Sequence, residues 1–172
     1  MLVNDFALLG VLGLAYWYDL RERRIPNRLL LLALGWGLGY HISLSGANGI
    51  FFSLKGLGIG LLLLLLPFAM GGMGAGDVKF LGVIGAIKGT AFILSSFLWM
   101  ALWGGVIAFA YLLYEGRLKE SVGNVARGLY LVQLGVVKLS ASVDKTEFHV
   151  FFPYGIPIAL GAITELCMVW WL

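Results

Sequence analysis

The sequence predicts an all-α polytopic membrane protein with about six transmembrane helices and an amphipathic helix on the cytoplasmic surface between the fifth and the sixth. Three observations predict it. Hydrophobic residues make up 60% of the 172-residue chain and charged residues only 12%, with a mean hydropathy of +0.94; a soluble domain carries about a quarter charged residues. The apolar residues gather into runs, and six spans of roughly 20 residues would use about 120 of the chain, so residues 1–172 are read as one membrane-embedded domain with no room for a second. The basic residues are distributed one-sidedly between the loops. This composition excludes an ordinary soluble enzyme and a disordered chain. The net charge of +3 is too small to suggest nucleic acid as a partner.

The first run is Phe6 to Tyr18, ending at Asp19. Asn4 and Asp5 precede it where a cleavable signal peptide would carry Lys or Arg, and no small-x-small cleavage site follows. The second run is Leu29 to Leu44. The third, Ile50 to Met70, has six leucines at its centre and is bent or ended by Pro67. Val78 to Ile87 is a short fourth run and Ala91 to Tyr114 a long fifth. In the segment 115–149, Val122, Val125, Leu129, Val132 and Val136 recur at spacings of three and four, the pattern of a helix lying on the membrane surface. Val150 to Leu172 is the sixth run. Lys and Arg near span ends stay cytoplasmic. Arg21, Arg23, Arg24, Arg28, Lys79, Arg117, Lys119, Arg127, Lys138 and Lys145 then fall inside, and only Lys55 and Lys88 outside. The amino terminus is therefore expected outside the membrane.

Acids at membrane depth are rare and usually functional. Asp19 stands at the carboxyl end of the first run, where the helix dipole disfavours a carboxylate; the neighbouring arginines could offset that, or the position needs a carboxylate. Asp77 follows Gly74-Ala75-Gly76 at the start of the fourth run. It could act as a helix cap, while the glycines permit unusual backbone angles and close approach of another chain. The predicted topology puts both aspartates on the cytoplasmic face at similar depth. Two carboxylates that meet cannot both ionise cheaply, so one keeps a proton. The ionised member can take a proton from water and the protonated one can polarise a carbonyl, which is the apparatus of aspartic proteolysis. That chemistry needs neither metal nor cofactor. The lone Cys167 and the distant His41 and His149 offer no metal-ligand spacing.

Asp19 with Ile25-Pro26-Asn27, then Gly74-Ala75-Gly76-Asp77-Val78-Lys79, then Pro153-Tyr154-Gly155-Ile156-Pro157 together resemble the type IV prepilin peptidases. The resemblance spans nearly the whole chain. It implies that Asp19 and Asp77 are the catalytic pair and that the substrates are prepilins and pseudopilins, cut just before their hydrophobic helix at the inner face of a bacterial cytoplasmic membrane. The larger members carry an amino-terminal cytoplasmic segment with paired cysteines, linked to methylation. This chain opens almost directly on a span and resembles the short form of Flp-type (tight-adherence) pili, so peptidase activity is expected without methyl transfer.

Around the pair, Gly74 and Gly76 are expected to admit the peptide backbone. Pro26 is expected at the start of the second helix and Asn27 as its cap. Lys79 is assigned to local charge or to lipid headgroups. Pro153 and Gly155 are expected to shape the start of the last span beside the aspartates, or simply to begin it. Glu165 is expected to pair with outer lysines or to lie at the interface, the tryptophans to form belts and packing, and Cys167 to be buried. The rival readings are another Gly-x-Gly-Asp intramembrane protease, a small proton-coupled transporter or channel, and a noncatalytic pilus or secretion assembly component.

Overall fold

A computed structural model of the protein describes residues 2–22, 24–115 and 154–171. The surface helix expected within 115–149 and the site residue Pro153 lie outside the described residues. Among the described residues the chain is all-helical: α1 (Leu2–Glu22), α2 (Asn27–Ser45), α3 (Ala47–Ala69), α4 (Ala75–Lys88), α5 (Thr90–Glu115) and α6 (Gly155–Trp171). Each corresponds to one apolar run of the sequence. The chain divides into two compact units, one of residues 1–103 with 153–172 and the other of residues 104–152. The described part of the second unit is the last stretch of α5.

The first unit is organised around its shortest complete helix. In α4, Val78 and every residue from Phe80 to Ile87 are buried. Helices α1, α2, α3 and α6 all pack against it. The contact with α3 is made by small residues: a side chain at Gly56 would meet the backbone of Gly85, and one at Gly85 the backbone of Gly56. A Cβ on Gly60 would come within 2.6 Å of the Leu81 carbonyl oxygen. Glycine at these positions lets the two backbones touch, the usual device where helices meet without a hydrophobic driving force. From α1 the core receives Leu8, Leu12 and Ala15, and from α6 Ile158, Ala159, Ala162 and Leu166.

Among the described residues, two helices are long and apolar enough to cross a membrane: α3 over Ala47–Ala69 and α5 over Thr90–Tyr114. Only 28% and 22% of these stretches is buried, so their apolar surface faces outward, unlike a soluble core helix. At 14 residues, α4 spans about 21 Å, short of the roughly 30 Å of a bilayer core. Pro67 does not break α3, which runs to Ala69. Cys167 is exposed rather than buried, because the α6 residues that face the core are Ile158, Ala162 and Leu166 and their helical spacing turns Cys167 outward.

Candidate active site

Three helix ends meet where α1 finishes, α4 starts and α6 starts. Asp19 lies in the last turn of α1, just beyond the apolar run Phe6 to Tyr18. Asp77 is the third residue of α4, just before the apolar run Val78 to Ile87. Gly155 opens α6 and is buried. A methyl group at Gly155 would collide with the Asp19 carboxylate, so only glycine lets α6 begin this close to it. The link between α1 and α2 contributes Ile25, which is 8% exposed and stands where a side chain at Gly76 would meet it. This apolar anchor holds the end of α1 near the start of α4.

Both aspartates are half-buried. Burial first, and the negative charge of Asp19 second, push the Asp77 carboxyl up to about 6 from its ordinary 3.8, against the opposing Gly74 N–H. Burial alone raises Asp19. One Asp19 oxygen, Oδ2, is buried with no hydrogen-bond partner among the described residues, and no ion pair among them reaches Asp19. The arginines were candidates to offset its charge, but the Arg21 guanidinium sits 5.0 Å from the centre of the Trp17 ring instead. Asp77 does have a local structural role: its Oδ2 accepts the Gly74 N–H at 3.3 Å, which satisfies a free donor at the start of α4 and suits the helix dipole. Capping leaves its other oxygen for chemistry.

The supporting residues differ in part from the sequence expectation. Pro26, with φ −67° and ψ 131°, occupies the cap position of α2, and Asn27 is the first helical residue with no side-chain cap bond. Asn27 Oδ1 instead accepts a hydrogen bond from Lys79 Nζ at 3.2 Å, tying the start of α2 to the start of α4. Capping fails here because a cap side chain must precede the helix, and the backbone turns helical one residue too early. Neither Gly74 nor Gly76 has the left-handed backbone that demands glycine; Gly71, at φ 78°, does. A side chain at Gly74 would meet Asp77 Oδ2 at 3.4 Å and the Gly76 nitrogen at 3.9 Å, and one at Gly76 would meet Ile25. Neither position is crowded: a Cβ there would make only ordinary van der Waals contacts beside Asp77. An apolar groove lined by Leu30, Leu34, Leu57, Leu61 and Val83 also includes Asn27 and Lys79.

Sequence reasoning missed the polar cluster at the far ends of the same helices. Asp5, at 3% exposure, forms an ion pair with Lys88 and accepts a hydrogen bond from Trp170 Nε1 at 3.0 Å. Lys88 was expected as an outer partner for Glu165 and Trp170 as a belt residue; both serve Asp5. The available signal was an acid and a lysine placed at corresponding ends of two runs.

Set against known protein families, residues 6–113 match the sequence model described as the type IV leader peptidase family. That stretch holds Asp19, Pro26, Asn27, Asp77 and Lys79. No curated protein and no solved structure gives a significant match.

Proposed function

The chain belongs to the type IV leader peptidase family, and from that premise we propose that it is a membrane-embedded aspartyl endopeptidase that removes the leader of Flp-type prepilins or pseudopilins at the inner face of a bacterial cytoplasmic membrane. The observation that carries the reading is the meeting of three helix ends, with Gly155 against the Asp19 carboxylate and the Asp19 charge raising the Asp77 carboxyl, although the two acids are separated by 58 positions in the chain. The pair titrates as a unit. Asp77, pushed furthest from the ordinary carboxylate value, holds the shared proton. Asp19 takes a proton from a water molecule as the oxygen adds to the scissile carbonyl carbon. The proton on Asp77 goes to the carbonyl oxygen and then, as the C–N bond breaks, to the leaving amine. The catalytic roles fall to Asp19 and Asp77. Gly74 and Gly76 leave room for the substrate backbone, and Gly155 leaves room for the Asp19 carboxylate.

The chain would cross the membrane about six times, with its amino terminus outside and the aspartate end of the bundle inside. The ten-to-two bias of Lys and Arg supports that orientation. The apolar groove beside Lys79 supports docking of the pilin's hydrophobic helix, whose burial would register the scissile bond.

The test is cleavage by the purified chain in liposomes. A Flp-type prepilin should be cut at a single bond just before its hydrophobic helix. An unrelated secretory signal peptide should remain intact. Proton-driven uptake by the same liposomes without peptide cleavage would replace this reading with that of a transporter.

A further inference from the structure

Asp5, Lys88 and Trp170 connect the same three helices that meet at the aspartates. Asp5 is three residues into α1, Lys88 ends α4 and Trp170 is next to last in α6. Beside them, Asn4 Nδ2 donates to the Ile87 carbonyl oxygen at 2.6 Å, and His41 Nε2 of α2 lies 2.9 Å from the same oxygen. Asn4 is 6% exposed. The lengths between the two ends agree for α1 and α6, about 21 Å from Asp5 to Asp19 and about 22 Å from Gly155 to Trp170, while Asp77 to Lys88 along α4 is shorter at about 16 Å. The flexible four-carbon stem of lysine spans the remaining few ångströms.

Apolar packing alone fixes this register weakly. The α1 face is Leu8, Leu12 and Ala15, a helical repeat that meets similar ridges after a slip of one turn. A buried ion pair also adds little net stability over apolar residues of the same volume, because both charges lose water; its best-attested use is to specify register. We propose that Asp5, Lys88 and Trp170 are positioning residues that lock α1 against α4 and α6 and so set the separation of Asp19 and Asp77 at the opposite end of the bundle. The proposal rests on the peptidase reading for its catalytic consequence, but the lock has a readout of its own.

The experiment uses the full chain in liposomes, with Asp5→Leu/Lys88→Met as the main variant, since it removes both charges and leaves neither unpaired. Lys88→Arg keeps the pair and serves as the conservative control. The double variant should insert and melt like the wild type, yet its kcat per folded molecule should fall about tenfold with KM unchanged, whereas Lys88→Arg should keep most of the wild-type kcat. The carboxyl of Asp77, followed by carbon NMR in aspartate-labelled protein, should titrate at lower pH in the double variant because Asp19 has drifted away. An unchanged Asp77 titration in the folded double variant overturns the lock, whether or not the wild type cleaves prepilin. Wild-type kcat in that variant overturns it equally.

Discussion

Asp19→Asn and Asp77→Asn are each expected to lower prepilin cleavage by roughly 10³-fold or more, the scale of losing a general acid or base, in protein that still folds and inserts. Neither substitution changes side-chain volume materially. An asparagine at position 77 keeps an oxygen for the Gly74 N–H. The Asp77 variant should even be more stable than the wild type at high pH. In the folded protein the Asp77 carboxyl titrates at about 6 against an ordinary 3.8, so the folded state holds this proton more tightly than the unfolded state. The stability linked to it is fully present below about pH 4 and is lost as pH rises through 6. At pH 8 the wild type carries a half-buried negative charge that Asn lacks, and the variant should gain about 1–2 kcal/mol. At pH 4 the two should melt alike. Thermal melts at both values, run beside cleavage assays, separate loss of chemistry from loss of structure. Near-normal processing by either variant would contradict the assignment.

Gly155→Ala is expected to reduce kcat by about 10- to 100-fold, the cost of displacing a reacting group by roughly 1 Å. The added methyl would overlap the Asp19 carboxylate. Either that side chain turns away from Asp77 or the start of α6 retreats, and both outcomes spoil the pair. KM should change little, since the groove lining on α2, α3 and α4 is untouched. Gly35→Ala is the matched control, because nothing lies within 4 Å of a side chain there. It should cleave at the wild-type rate. Equal rates for the two variants, measured as initial velocities on one prepilin, would remove Gly155 from the site.

Hydropathy made the helices legible. Each of the six runs holds a helix among the described residues, α1 running beyond its apolar stretch to Glu22, because an apolar segment in a bilayer has few other ways to satisfy its backbone. Asp19, Asp77 and Gly155 stood out in the sequence because a charge or a glycine interrupts an apolar pattern there, and the fold brings Gly155 against the Asp19 carboxylate. Asn27 was misread because capping depends on the backbone angles of a single residue, and sequence does not fix helix starts that finely. The partnership of Asp5, Lys88 and Trp170 was hidden for a different reason. Each looks like an ordinary interfacial residue alone, and only the antiparallel packing of α1 with α4 and α6 brings them together. The outward turn of Cys167 was likewise set by which α6 face meets the core.

The central claim is that Asp19 and Asp77 act as one electrostatic unit. Its most direct measurement is the titration of the Asp77 carboxyl by carbon NMR in aspartate-labelled wild type and in Asp19→Asn. The wild-type midpoint should lie near 6, and removal of the neighbouring charge should move it down toward the ordinary carboxylate range. An identical midpoint in both proteins would mean that the two carboxylates do not sense each other, and the shared-proton chemistry would be contradicted.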